Sequence, residues 1–209
     1  MQQKDFLVRT RKIVTWIVVV QAVLLVLMFA GAPERVPAYL GFVAGAQGSA
    51  LAWFLAGLTA IGYAWSAASI STVRAYMFKF DGLKTLALVA AVGAGVIEEV
   101  FFRKLLMDYL QAQGYGPVIQ VGTSAIAFGI AHVVWGVKSR AAAVNAALST
   151  TLLGAALAVV YLVGDRSLAP CVVAHVAIDV LIEPGLILAA VQGRLGYWRE
   201  RKRKQGHAS

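Results

Sequence analysis

Long apolar runs separated by short polar stretches dominate the chain. Six of them, at 13–31, 41–70, 83–102, 117–137, 141–164 and 168–193, are long enough to be membrane-spanning helices, since a crossing needs about 20 mostly apolar residues. They are too long and too uniformly apolar for barrel strands, and lipid leaves only helices or closed barrels. The pattern predicts an all-α, polytopic integral membrane bundle of about six transmembrane helices. A tail at 1–12 precedes a single membrane domain at 13–193, and a basic tail follows at 194–209. The second run is long for one crossing and is expected to contain a re-entrant or tilted portion. Its small residues Gly41, Gly45, Gly48 and Ala52 are expected to let a neighbouring helix approach closely. The sixth run is interrupted by Asp179, Glu183 and Pro184, where a break is expected.

Composition supports this assignment. Of 209 residues, 60% are hydrophobic and only 14% charged, against about 25% charged in soluble domains. This excludes a disordered chain, a fibre and a disulfide-stapled scaffold. Cys171 is the single cysteine, so neither an intrachain disulfide nor a site of paired cysteines is available. The net charge of +9 lies in the tails and short loops, which implies contact with a lipid bilayer and not with nucleic acid. With the N-terminus inside, the inner segments carry four, three (Arg74, Lys79 and Lys84), two and six Lys or Arg, and the outer segments one, two (Arg103 and Lys104) and one. That bias predicts a multi-pass protein of the cell membrane with both termini cytoplasmic. The basic stretch 199–204 is expected to set topology and touch anionic headgroups. Ala30-Gly31-Ala32 resembles a cleavage site, but Pro33 follows it, so the first helix is expected to be retained.

Charged groups inside apolar runs are costly and single out candidate chemistry. Glu98 and Glu99 lie in the third run, with Arg103 just past its end. Glu99 and Arg103 are four residues apart in the favourable order for a helical pair. Glu98 is rotated by about 100° and has no sequence-local partner, which makes it a candidate general base. Phe128 and His132 lie one turn apart in the fourth run. His175 and Asp179 share a face in the sixth, and Glu183 extends the stripe. Two imidazoles and an unpaired carboxylate on three spans provide what water-mediated peptide hydrolysis needs. A serine mechanism through Ser124 lacks a nucleophile elbow, and no His-Glu-x-x-His zinc motif occurs.

Glu-Glu-x-x-x-Arg at 98–103, Phe-x-x-x-His at 128–132 and His-x-x-x-Asp at 175–179 resemble, in that order, the motifs of the CAAX prenyl protease 2 and bacteriocin-processing family (CPBP, or Abi). The resemblance covers about 87–179. It implies an intramembrane endopeptidase without a cofactor, acting on membrane-associated peptides or proteins. It further implies that Glu98 activates water with help from His132, that Glu99 and Arg103 support it, and that His175 stands on the oxyanion side. Asp179 occupies a position where prenyl-processing members carry Asn. Because an ionised Asp cannot donate a hydrogen bond, Asp179 is expected either to act protonated or to orient His175.

Straight spans would not bring these groups to one depth. Glu98 lies about 21 Å along its helix from Lys84, and His132 about 9 Å from Lys138 at the same face. The side to which the site opens and the oligomeric state stay open at this point. Three alternatives stand beside the protease. A proton-coupled transporter would show inverted repeats, and none is apparent. A silent immunity or scaffold protein would not need Glu98 unpaired. A metal-dependent variant would use Glu98, His132 and His175 as ligands, without any short ligand spacing.

Overall fold

The computed structural model describes residues 3–136 and 140–195. Among these the chain is helical, with no strand. In chain order the helices are α1 (Gln3–Phe29), α2 (Val36–Tyr39), α3 (Ala50–Ala67), α4 (Ser71–Tyr76), α5 (Gly82–Glu99), α6 (Asp108–Ala112), α7 (Pro117–Ala131), α8 (Arg140–Val163), α9 (Ala169–Ile182) and α10 (Gly185–Val191). A π-helical stretch, Val100–Met107, joins α5 to α6, and a 3-10 turn, His132–Gly136, continues α7. Five helical segments are long and apolar enough to cross a membrane, and the bent pair α9–α10 makes a sixth. The protein is therefore a multi-pass membrane protein.

Several boundaries differ from the sequence expectation. The second apolar run is helical only from Ala50; residues 41–49 form a loop closed by turns. Gly41, Gly45 and Gly48 all have φ near +80°, so they serve turns, and Gly41 and Gly48 also let this loop approach the start of α9, where a Cβ would stand 3.4 Å from the Ala169 nitrogen and 3.3 Å from Pro170 Cγ. A Cβ at Gly41 would collide with the Ser167 hydroxyl. The first helix starts at Gln3 and carries Arg9, Arg11 and Lys12 within it.

The third span runs from Gly82 to Ala112, ten residues past its expected end. Arg103 and Lys104 are consequently not loop charges. Arg103 is fully buried, and Lys104 pairs with Asp108 at 3.3 Å within the helix. Lys84, also read as a loop charge, is buried. Its ammonium donates to the carbonyls of Val180 and, at 2.6 Å, Glu183, satisfying acceptors left free where α9 ends. Asp81 caps α5, accepting from the amides of Leu83 and Lys84 at 3.0 and 2.9 Å. These backbone N–H groups, Lys84's foremost, hold its carboxyl below the usual carboxylate range.

The sixth run breaks as expected. α9 and α10 are bent by 58° at Glu183-Pro184, which is a cis peptide. Gly185 lets the turn press on α4, since a Cβ there would come 2.6 Å from the Val73 Cα. Small residues set the other close approaches. A Cβ at Gly95 of α5 would lie 2.5 Å from Val176 Cγ2 on α9, and one at Gly129 of α7 would collide with Thr151 Oγ1 on α8. Buried Ala52, Ala56, Ala60 and Ala64 repeat every fourth residue along one face of α3. Tyr161, Leu157 and Ile178 lie in the core with them. The outer faces, including Trp16, Leu27 and Trp65, are exposed and apolar, as lipid contact requires.

Candidate active site

The length of the third span places Glu98 about halfway between Gly82 and Ala112. α7 and α9 contain 15 and 14 residues, about 21–22 Å at 1.5 Å per residue, shorter than the roughly 30 Å of a bilayer's hydrocarbon. These helices are not whole spans: the fourth span continues through its 3-10 turn to Gly136, and the sixth continues from α9 into α10. His132 therefore lies inside the fourth span, where α7 gives way to that turn, and His175 lies midway along α9. The groups that straight, uniform spans would hold at different depths meet at one level.

Glu98, His132, His175 and Asp179 all line one cavity of about 540 Å³. Glu98 Oε2 lies 3.7 Å from His132 Nε2 and 3.7 Å from His175 Nε2. Both separations exceed a direct hydrogen bond, and this oxygen is buried without a hydrogen-bond partner. Asp179 Oδ2 lies 3.6 Å from His175 Nε2. Glu98 keeps 29% of its side chain accessible, whereas Glu99 has none.

Each imidazole is held through its other nitrogen. His132 Nδ1 is 2.8 Å from the Phe128 carbonyl. A carbonyl only accepts, so Nδ1 carries a proton and Nε2 faces Glu98. His175 Nδ1 is 2.7 Å from Glu99 Oε1, so the carboxylate of Glu99 fixes that ring. Arg103 Nε in turn lies 3.1 Å from Glu99 Oε2, and Arg103 Nη2 donates to the Gly154 carbonyl at 3.3 Å.

Phe128 joins these parts. Its ring stacks at 4.4 Å on His132, meets His175 edge-on at 5.8 Å and Phe102 at 5.1 Å, and lies 4.8 Å from the Arg103 guanidinium carbon. The π-helical stretch begins immediately after Glu99, where such widening often accompanies a functional site. One of its carbonyls, that of Phe102, accepts from Ser124 Oγ at 3.0 Å, so Ser124 is occupied in joining α7 to this stretch.

All the motif residues read from the sequence thus come together. One connection had no local signal, and another differs in the atom it reaches. Glu99, expected to turn only towards Arg103, also binds His175, 76 positions away. Asp179, expected as the alternative orienting group for His175, faces Nε2 and not the Nδ1 that Glu99 holds. Among the described residues no group of three or more His, Cys, Asp or Glu is arranged to hold a metal ion.

The cavity extends from Glu98 past Tyr63 and Ser66 of α3 to Ser69 and Arg194, at the end of the bundle that also carries the start of α1. Exposed Leu148 and Leu152 of α8 line another side, where the apolar wall meets lipid. A second polar cluster joins the opposite end: Arg166 binds Asp108 at 2.6 Å and Gln120 at 2.5 Å, and Tyr161 donates to Asp108 at 2.9 Å. These partners satisfy one another, which makes the cluster a structural tie.

Residues 81–181 match the family model described as type II CAAX prenyl endopeptidase Rce1-like. The matched segment contains every motif residue named above and agrees with the CPBP resemblance. The family is one of proteases. No curated protein and no solved structure matches the chain.

Proposed function

We propose that this chain, which carries the Rce1-like segment of the CPBP proteases over residues 81–181, is a glutamate-dependent intramembrane endopeptidase. The observation that supports it is the position of Glu98 Oε2, 3.7 Å from both His132 Nε2 and His175 Nε2 and without a hydrogen bond of its own. Gaps of this length suit a bridging water. In this reading Glu98 takes a proton from water held against His132, and the water oxygen attacks the substrate carbonyl carbon. The developing oxyanion faces His175 Nε2 and Asp179, where a proton on either group makes it a donor. Glu98 then returns the proton to the departing amine as the C–N bond breaks, leaving a carboxyl and an amine product. Glu99, Arg103 and Phe128 position the two rings.

The substrate is a membrane-associated peptide or protein, entering from lipid beside α8 or from the end bearing Arg194. If the bundle follows its charge bias, that end is cytoplasmic and both termini lie on the same side. Moving Arg103 from the outer loops into the bundle interior strengthens the bias. CAAX-type processing is the activity the family match favours.

The test compares membrane peptides and precursors that accumulate with wild-type and Glu98→Gln protein, together with cleavage by the purified proteins. Glu98→Gln keeps the shape and removes the base, so cleavage should disappear while membrane insertion and abundance stay normal. His132→Ala should lower turnover by about 10²–10⁴. Undiminished cleavage by Glu98→Gln would eliminate the mechanism.

A further inference from the structure

The wall of the cavity that leads to Glu98 carries a group the reaction does not use. Gln21 lies on α1, and every other residue from Trp16 to Phe29 is apolar. A carboxamide in such a run is unfavourable unless its polar atoms are used. Its Oε1 is buried and has no hydrogen-bond partner. The side chain lines the same cavity as Glu98. It packs on α5 where Gly93 leaves room, since a Cβ at Gly93 would stand 2.6 Å from Oε1 and 2.9 Å from the amide carbon. The notch and the carboxamide fit each other, and the acceptor is left over.

We propose that Gln21 is a substrate-positioning residue whose carboxamide turns from the Gly93 notch, so that its oxygen, buried there without a partner in the free protein, accepts a backbone N–H of the bound peptide. This deepens the endopeptidase reading and rests on it. The geometry also assigns a place in the substrate. Ala90, Ala94 and Glu98 line the cavity at successive turns of α5, forming a smooth wall that runs along the helix to the carboxylate. Gly93 lies five residues before Glu98, about 7.5 Å along the axis. An extended peptide rises about 3.3 Å per residue. The N–H that meets Gln21 therefore belongs to a residue about two positions from the scissile bond, on one side only. Because it acts through a main-chain group, the contact holds extended peptides of differing side chains.

The experiment uses the full-length protein in lipid nanodiscs and a synthetic S-farnesylated peptide with a CAAX-type end as probe. Binding is measured in the Glu98→Gln background, which separates affinity from chemistry, and cleavage is measured with Glu98 intact. Gln21→Met should weaken binding about five- to tenfold, and should raise KM by the same factor with kcat little changed. N-methylation of the peptide backbone, scanned one position at a time, should weaken binding to the Gln21-containing protein about two residues from the cleaved bond. It should have no further effect there in Gln21→Met. Gly93→Ala, which displaces the carboxamide, should reproduce the loss and serves if Gln21→Met does not fold. Equal binding with and without the carboxamide, or a methylation profile unchanged by Gln21→Met, would overturn the assignment and make Gln21 a packing residue of α1. Cleavage that persists in Glu98→Gln would instead strike at the endopeptidase mechanism, whatever the binding results.

Discussion

Arg103→Ala removes the centre of the buried support beneath the catalytic rings. Arg103 and Glu99 have fully buried side chains and are 3.1 Å apart. The guanidinium also donates to the Gly154 carbonyl at 3.3 Å and lies against the Phe128 ring at 4.8 Å. Its loss leaves the Glu99 carboxylate in a dry site with only His175 as partner, at 2.7 Å. Breaking a buried pair by removing one member costs about 3–5 kcal/mol. Against a total stability of roughly 5–15 kcal/mol, this should lower abundance and thermal stability, with activity falling in consequence. Replacing both partners, as Glu99→Gln with Arg103→Met, removes the stranded charge and should recover about 2 kcal/mol relative to Arg103→Ala alone. The measurement is unfolding of purified protein in one fixed detergent, with membrane abundance alongside. The reasoning fails if Arg103→Ala lies within about 1 kcal/mol of wild type, or if the double variant is no more stable than the single. Normal stability with selective loss of cleavage would move Arg103 from support to chemistry.

Asp179→Asn should retain or raise cleavage, because Glu99 already holds the His175 ring and an amide supplies a donor on the Nε2 side; a large fall in kcat would show that the charge at 179 is required. Gly95→Ala should destabilise the protein by about 1–3 kcal/mol, read as a lower melting temperature, since its Cβ would stand 2.5 Å from Val176 Cγ2 on the helix that carries His175; an unchanged melting temperature would contradict that contact. Single cysteines at positions 9 and 202 should be labelled from the same side of the membrane, against a background in which native Cys171 is buried; labelling from opposite sides would reverse the topology drawn from Lys and Arg placement.

The residue pattern alone determined the solvent of this protein and most of its chemistry. Apolar runs of membrane length are compatible only with helices, because no other open structure satisfies its backbone groups in lipid. The few charged residues that such runs tolerate stand out for the same energetic reason, so Glu98, Glu99, Arg103, His132, His175 and Asp179 were all legible. Pairing was legible where it is local, as for Glu99 and Arg103 one turn apart. The span ends were harder to read. Arg103, Lys104 and Lys84 looked like loop charges, because hydropathy cannot tell a charge facing water from one neutralised by distant carbonyls or a buried carboxylate.

Only the tertiary structure decided the depth and sharing of the site. The third span runs on through its π-helical stretch, α7 tightens into a 3-10 turn at His132, and the sixth span bends after α9, and together these bring three motifs to one level. Glu99 serves Arg103 and His175 at once, a contact between residues 76 positions apart that no helical spacing announces. The same holds for Gln21. Its isolation in an apolar helix is visible in the sequence, but only the tertiary structure brings its side chain to the cavity wall and leaves its oxygen buried and unpaired beside Gly93. Local periodicity states which face a residue occupies; what it meets there depends on close approaches between helices distant in the chain.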